Sequence, residues 1–557
     1  MCGIFSYLGV TIDSEKLRQE YMKTYGRGPD SNVMKQITHN LVFGFHRLSI
    51  MDISFRGDQP LYHPSKPYVL ICNGEIYNYQ ELKEKYDIQT YSNSDCEVIL
   101  YLYEKFGIEK TLQLLDSEAY AFCLYDGLQG KLIVSRDRFG VRPLFVSKLQ
   151  NGEYMFCSEM KSLHEFIDVI KGDEIEQFQP GSYRIFSLKN EYSFWSHLSL
   201  VPSSLVENEK DSGYLYYYKK IYDVSKEYDE EVILRSIREK MTQAVRKRLM
   251  SDRPIGCLLS GGLDSSLISA LVAREFKNTG KGQLETFAIG IKGATDLEYA
   301  KQVADFIGSK HHSIELEESD FLEAIPEVIK AIESYDTTTV RASTGNYLVG
   351  KYIKENTDIT VVFNGDGSDE QSGYIYLSKA PDKESFHEEC VKLLSEIHYF
   401  DVLRSDRSLS TDWSLETRSP FLDTDFVNYY MSIPTELKMY EDRIEKYLLR
   451  KAFDKENLLP HEVLWRRKEA FSDGCSSNQR SWHKIIQEHV DSKITDVEFL
   501  ENKDKYTHNT PELKESYYYR KLFEEYYPNM SFLIPHFWLP KWNGNMKDPS
   551  ARELTNY

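Results

Sequence analysis

The chain has 557 residues, 41% hydrophobic and 28% charged, a soluble globular composition long enough for two to four domains at about 150 residues each. With Lys+Arg 68 against Asp+Glu 87 the net charge is −19, which disfavours wrapping phosphate backbones or docking on anionic lipid. The longest unbroken apolar run, Ala119–Tyr125, has seven residues, and a membrane-crossing helix needs about 20. Neither nucleic acid nor membrane is expected as a partner. The eight cysteines contain no C-x-x-C pair, so disulfide frameworks and zinc sites are not expected and a cytoplasmic setting is. The opening MCGIFSYLGV lacks a basic leader and a small-residue cleavage site, so it does not read as a secretory signal. Tyrosine is abundant, at 40 residues, without a functional reading.

The first 190 residues read as short β segments, at Leu41–Ile50, Tyr68–Asn73, Phe122–Asp126, Lys131–Arg136 and Tyr154–Ser158, with helices near Tyr79–Tyr86 and Glu97–Phe106. That is an antiparallel α+β pattern. Residues 191–227, with the polar VPSSLVENEKDSG, read as a linker or insertion. From Tyr228 strands alternate with helices: strand Ile255–Leu259, a helix carrying Leu267, Ile268, Leu271 and Val272, strand Thr286–Ile289, helix Leu297–Ile307, two longer helices and strand Thr360–Asn364. Such alternation predicts a parallel sheet covered by helices. The second domain is expected over 228–530, with a C-terminal tail over 531–557.

Cys2 follows Met1 directly. Removal of Met1 would leave a thiol and an α-amine on one residue, and the amine can serve as base for its own side chain. Asn73 and Gly74, in NGEIYN, end a strand where an amide and an N–H can form an oxyanion hole; N-G is equally a plain turn dipeptide. Arg47 can pair bidentately with an α-carboxylate, or form a surface ion pair. Ser94 and Glu97 have the spacing of a capping box, and Asp95 at that helix start can accept an ammonium.

In the second half, strand Ile255–Leu259 runs into Ser260-Gly261-Gly262-Leu263-Asp264-Ser265-Ser266 and then a helix. Glycines let N–H groups approach an anion, and the helix start adds positive potential. Asp264 can hold a phosphate-bound magnesium ion or cap the helix. The loop lacks the lysine of a Walker motif, which suits pyrophosphate release. Asn364-Gly365-Asp366-Gly367-Ser368-Asp369-Glu370 follows another strand and reads as a second magnesium and substrate loop. Ser368 and Gln371 again have capping-box spacing. Lys446 and Arg466-Arg467-Lys468 supply cations that could neutralise a pyrophosphate or face solvent.

Cys2-Gly3-Ile4-Phe5, Arg27-Gly28-Pro29-Asp30, His46-Arg47-Leu48-Ser49, NGEIYN and Ser94-Asp95 resemble the glutaminase domain of class II (N-terminal nucleophile) glutamine amidotransferases. SGGLDSS resembles the PP-motif of ATP pyrophosphatases. Joined, with YDTTTVRAST, GSDE, ETRSPFLD and RKEAFSDG in order, they resemble the glutamine-dependent asparagine synthetases. The resemblance implies an N-terminal α+β (αββα) Ntn-hydrolase sandwich and a C-terminal α/β PP-loop (adenine nucleotide alpha hydrolase-like) synthetase domain. It implies that Cys2 forms a γ-glutamyl thioester, with Asn73 and Gly74 holding the oxyanion and Arg47, Glu75 and Asp95 gripping glutamine. ATP would meet Leu258, Ser260, Gly261, Gly262, Asp264, Ser265, Ile289, Gly365 and Lys446. Thr338, Thr339 and Arg341 would meet aspartate, and Asp264 and Asp369 would hold Mg2+. Ammonia would pass through an internal tunnel to a β-aspartyl-AMP. The family suggests a homodimer.

Three departures stand out. Tyr25-Gly26 replaces the frequent Arg-His before RGPD, Asn364 replaces a usual serine, and Asp366 replaces the glutamate expected to act as base. Alternatives are a related amidotransferase acting on another carboxylate, a non-synthetic glutamine-binding regulator, and a nucleic-acid-modifying pyrophosphatase, the last disfavoured by charge.

Overall fold

A computed structural model describes residues 1–188, 212–225, 228–439, 443–468, 474–477, 480–542, 544 and 546–550. It divides into two units, Met1–Lys219 and Lys220–Tyr557. Most of the polar VPSSLVENEKDSG connection and residues 469–473 of RKEAFSDG lie outside the described residues.

The first unit holds two six-stranded sheets. One runs in the order Glu174–Gln177, Phe145–Lys148, Tyr154–Cys157, Gly3–Leu8, Leu41–Arg47, Ser31–Thr38. The other runs Leu215–Tyr216, Ser182–Ser187, Lys131–Arg136, Tyr120–Asp126, Tyr68–Gly74, Leu61–Tyr62. Neighbouring strands are antiparallel. Alternate side chains from both sheets, among them Ile4, Phe43, Ile71, Ala121 and Val134, form one shared core, as period-2 strands require. Helix Ser14–Met22 lies on the first sheet, where the Tyr21 hydroxyl donates to Phe45 O at 2.8 Å. Helix Val98–Leu114 buries Val98, Ile99 and Leu102, and its Tyr103 donates to Asp126 of the second sheet at 2.6 Å. The layering is αββα. Leu215–Tyr216, expected in the linker, instead pairs with Ser182–Ser187, so this unit runs past residue 190.

The second unit is built on a five-stranded parallel sheet in the order Lys310–Leu316, Glu285–Ile291, Ile255–Leu258, Val361–Phe363, Glu416–Arg418. Cys257, Phe287 and Val362 are buried, as in sheets covered on both faces. Helix Glu318–Ile332 presents Phe321, Ile325, Val328, Ile329 and Ile332 inward, one face of a 3.6-residue period. The chain order reverses direction between Ile255–Leu258 and Val361–Phe363. That switch point is where open α/β sheets place their ligand crevice. The stretch from Ser531, expected as a tail, packs into this unit: Ser531, Ile534, Trp538 and Ser550 are all buried.

Tyrosine hydroxyls tie distant segments together. Tyr335 donates to Ser531 O at 2.8 Å and Tyr527 to Lys330 O at 2.6 Å. The ETRSPFLD segment is a structural junction. Arg418 donates to Glu416 at 2.9 Å. Asp423 caps helix Thr424–Ser432 and pairs with the buried Arg248 at 3.0 Å, and the cations Arg248 and Lys247 hold its carboxyl below the usual range. Replacing Asp423 by Ala strands a buried guanidinium and removes a cap, so it should destabilise the protein by about 3–5 kcal/mol. A urea midpoint unchanged from the native value would refute this role.

Candidate functional sites

In the first unit Cys2 sits at the mouth of strand Gly3–Leu8, partly buried against the inter-sheet core. Its sulfur lies 3.5 Å from Leu48 O. Its carbonyl accepts from Arg27 Nε at 2.8 Å. Arg27 in turn pairs with Glu159 at 2.6 Å, both side chains fully enclosed. A buried charge needs such a partner, and the pair fixes the backbone that carries the thiol. Gly28 lies flush against the His46–Arg47 backbone, where any Cβ would overlap it. The Asp30 carboxylate accepts from Ser49 N at 2.8 Å. The RGPD and HRLS motifs therefore lie side by side at one mouth, joined by a bridge between Pro29 and Arg47. Burial pushes the His46 imidazole down to about 4, so it stays neutral, stacked on Tyr21 with ring centroids 3.8 Å apart.

Asn73 is buried, and its side-chain Nδ2 has no acceptor among the described residues. A buried donor left unpaired is costly, so this amide is poised for a ligand oxygen. Gly74 abuts Ala119 O and Tyr120, and a Cβ would overlap both. Asp95 Oδ2 accepts from Ile76 N at 2.5 Å and Cys96 Sγ donates to Gly74 O at 3.4 Å, so Asp95 and Cys96 brace the NGEI strand end. Glu75 is buried beside them.

Arg47 meets a competitor here, and one expectation is corrected. Arg47 is engaged within its own loop, donating to Ser54 O at 2.8 Å, Asp58 Oδ1 at 2.7 Å, Met51 O at 3.3 Å and Asp52 O; an incoming carboxylate would compete with Asp58. The Ser94–Glu97 capping box does not form. Ser94 makes no side-chain cap bond, and the Glu97 carboxylate accepts instead from Tyr91 N at 2.7 Å and Ser92 N at 2.8 Å.

In the second unit a cavity of about 250 Å³ opens at the switch point. Both glycine loops line it, because they leave the carboxyl ends of adjacent strands. Gly261 adopts φ 76° and touches Tyr299 and Ala300, and Gly365 packs against Asp264 and Ser265; side chains would hold these loops apart. Asp264 does not cap its helix; Gly262 stands at that position. Its carboxylate instead meets Lys446 Nζ at 2.5 Å and Ser368 Oγ at 2.8 Å. Lys446 also meets Asp369 at 2.7 Å, and Lys468 lies on Asp369 and 3.8 Å from Asp264. Asp264 and Asp369 raise the Lys446 ammonium, and Lys446 and Lys468 draw Asp369 far below the usual carboxylate range. Ser368 thus bonds Asp264, and Gln371 donates to Gly367 O at 2.7 Å and Phe421 O at 2.9 Å, so their expected capping box is absent.

Asp366 is pushed up to about 6 by burial, against a weaker pull from Ser405 and Arg404. Asn364 Nδ2 donates to it at 2.8 Å. Of the ATP candidates, Leu258, Ser260, Gly262, Asp264, Ser265, Gly365 and Lys446 line the cavity. Ile289 is buried within its strand and is not among the lining residues, nor is Gly261. Thr338 lines it, with a buried Oγ1 that has no partner among the described residues. Thr339 does not: its N–H and hydroxyl both donate to Asp336 at 2.8 Å. Arg341 does not either. Its guanidinium is enclosed by Glu515, at 2.8 and 2.6 Å, and Asp548, at 2.8 and 3.1 Å.

The sequence reading left Glu370, Tyr374, Arg404 and Trp538 without roles, and all four line the cavity. Burial and the neighbouring Asp369 push Glu370 up to about 7. Glu370 stands in the quoted GSDE motif, so it was within reach of sequence reasoning. Arg404 and Trp538 carry no local motif.

Comparison with known proteins followed the same division. Residues 1–218 match the glutamine amidotransferase domain family, and residues 236–384 and 374–539 match the asparagine synthase family. Asparagine synthetase [glutamine-hydrolyzing] of Rattus norvegicus is 42% identical over 566 residues, covering 100% of this chain and 99% of that one. The Homo sapiens protein of the same name is 42% identical with the same coverage. That of Gallus gallus is 43% identical over 563 residues, again covering 100% and 99%.

The raised Asp366 carboxyl has a signed consequence. Its folded value, about 6, lies above the unfolded 3.8. The stability it contributes is present below pH 3.8 and is lost as pH rises through 6. Asp366→Asn should therefore gain on the native protein as pH rises, from about 1.5 kcal/mol at pH 5 to about 3 kcal/mol at pH 8 at most. Urea unfolding at both pH values checks this, and a pH-independent difference would contradict it.

Proposed function

The chain belongs to the asparagine synthetase family, and from that premise we propose that it converts L-aspartate, L-glutamine and ATP to L-asparagine, L-glutamate, AMP and diphosphate. The observation that carries the reading is the second-unit cavity. Two acids, Asp264 and Asp369, and two lysines, Lys446 and Lys468, converge there at the switch point between two glycine loops.

The cleft that holds these four charges suits a triphosphate. The loop Ser260–Ser265 offers N–H and hydroxyl donors at a helix start. Phosphate oxygens would draw Lys446 and Lys468 away from the acids, and the same lysines would neutralise the departing pyrophosphate. Asp264 and Asp369 share one ammonium, so their oxygens are close enough to share a cation. That donor set, two carboxylates plus phosphate oxygens and water, fits Mg2+. When bound, the ion would screen the triphosphate charge.

The Thr338 hydroxyl and the Arg404 guanidinium are the donors on the cavity wall suited to aspartate. The aspartate β-carboxylate attacks the α-phosphorus, giving β-aspartyl-AMP and pyrophosphate. A carboxylate is a poor electrophile, and the adenylate supplies a leaving group. Ammonia then attacks the β-carbonyl, AMP leaves, and Asp366 takes the ammonium proton, a role supported by a carboxyl pushed up to about 6, close to the working pH of a general base.

The first unit supplies the nitrogen. After Met1 is removed, the α-amine of Cys2 takes the thiol proton, and the sulfur attacks the glutamine amide. The unpaired Asn73 Nδ2 and the Gly74 N–H receive the oxyanion. Asp95, Glu75 and Arg47 serve the amino-acid end of glutamine. The passage of ammonia along a protected route to the adenylate keeps it neutral and nucleophilic. All eight cysteines are free thiols, which accords with a reducing cytoplasm, and we extend to this chain the homodimer that the family suggests.

Cys2→Ala should abolish glutamine-driven asparagine synthesis, by at least about 100-fold, and leave ammonia-driven synthesis within about twofold. Loss of both activities together would defeat the division of labour. Thr338→Val should raise KM for aspartate by about fivefold to tenfold, with KM for ATP unmoved, the cost of one hydrogen bond. Initial-rate pyrophosphate release decides it, and an unchanged aspartate KM would remove Thr338 from the site.

A further inference from the structure

The proposed reaction uses neither Arg341 nor the segment that ends the described chain, yet that segment gives the cavity Trp538, Pro540 and Pro549. Trp538 is buried. Its ring centroid lies 5.2 Å from that of Tyr374 and 6.0 Å from that of Tyr376. The Tyr374 hydroxyl lies 3.1 Å from Glu370 and 2.9 Å from Asp401. The indole is therefore packed on a residue that touches the acidic end of the cavity.

Two of the moorings of this wall belong to one helix. Asp336, the N-cap of helix Thr337–Asn356, accepts from Trp538 N at 2.8 Å through Oδ1, and from Thr339 through Oδ2. Arg341, one turn into that helix, holds Asp548 by two bonds, and Gln487 adds a third at 2.7 Å. The other edge of the Arg341 guanidinium is locked by Glu515. Bidentate guanidinium–carboxylate pairing fixes orientation as well as distance. The same helix gives Thr338, Ala342 and Asn346 to the cavity. One element thus sets two parts of the wall.

We propose that Trp538, Pro540 and Pro549 form a water seal over the acyl-adenylate, and that Arg341 and Asp336 are positioning residues that moor it. The inference rests on the reading that this cavity makes an acyl-adenylate. Such a mixed anhydride is destroyed by water. A water oxygen bonds to the β-carbonyl carbon, and the bond from that carbon to the phosphate oxygen breaks. AMP leaves with the electron pair, and the excess proton passes to solvent. Aspartate is regenerated and ATP is consumed without asparagine. An apolar wall suppresses this loss by excluding water from the carbonyl.

The test uses the full chain with ammonia as nitrogen donor, and measures AMP and asparagine in the same sample. The native ratio should be close to one. Trp538→Ala should raise it to about threefold or more, Trp538→Phe should return it toward one, and Asp548→Asn should raise it by less than Trp538→Ala, because the Asp336 mooring remains. A merely structural role would lower both products together and leave the ratio at one; that result in soluble Trp538→Ala overturns the seal. If Trp538→Ala does not fold, Asp548→Asn decides, on the same criterion. A second readout needs no turnover. The emission of Trp538, taken as the difference between the native chain and Trp538→Phe, should become less accessible to acrylamide when ATP, Mg2+ and aspartate are added together, and unchanged quenching overturns the proposal. A native enzyme that releases no pyrophosphate with aspartate would defeat the proposed activity, while quenching would still judge the wall.

Discussion

The second unit is organised around one buried ammonium. Lys446, 2% exposed, stands between Asp264 and Asp369 at 2.5 and 2.7 Å, and these acids stand in the first turns of helices that follow neighbouring strands. Two carboxylates this close, in a low-dielectric cleft, would otherwise repel until one took a proton. The lysine stands between the two acids and ties the segments that carry them together. Lys446 itself has a left-handed backbone, φ 58°, a conformation that costs a non-glycine residue about 1 kcal/mol or more. The close ammonium–carboxylate contacts hold it there. Two acids and two lysines pair among themselves, and a triphosphate bound as proposed would exchange partners with the lysines.

The first unit solves a related problem differently. A nucleophile at a chain terminus is the residue most prone to fray. Here the Cys2 carbonyl is held by Arg27, and Arg27 is held by the enclosed Glu159. The strand pairing Gly3↔His46 begins at the next residue. Rigidity is imported from residue 159 to residue 2, as the role proposed for Cys2 requires. Asn73, on the opposite sheet, is fixed by comparable means: its strand end is braced by the Asp95 carboxylate, which accepts from Ile76 N.

Much of this was legible in the chain itself. Periodicity located the strands at Tyr68–Gly74, Lys131–Arg136, Ile255–Leu258 and Glu285–Ile291 to within a residue or two, because a buried strand writes its alternation or apolar run locally. Loop chemistry located SGGLDSS and the GDGSDE turn, because glycine at positive φ and acids at a strand end are local requirements. Strand Glu416–Arg418 was missed, since three residues, ETR, carry polar side chains that make sense only beside Arg248 and Met250. Arg341 was misplaced for the same reason. Its partners, Glu515 and Asp548, lie 174 and 207 residues away, and no spacing rule reaches so far. The capping boxes failed because a better acceptor or donor lay nearby in space: Glu97 found the Tyr91–Ser92 amides, and Ser368 found Asp264.

The tyrosine struts bear on alkaline behaviour. Burial pushes the phenols of Tyr7, Tyr101 and Tyr335 up to about 12 and those of several others higher still. A phenol in the unfolded chain releases its proton near 10. Above that pH every such ring lends deprotonation free energy to the unfolded ensemble alone, up to about 1.4 kcal/mol per pH unit per ring. The buried tyrosines that brace this protein in neutral solution therefore act in strong base as a shared fuse, each tilting the balance further toward the unfolded chain as the pH climbs past 10.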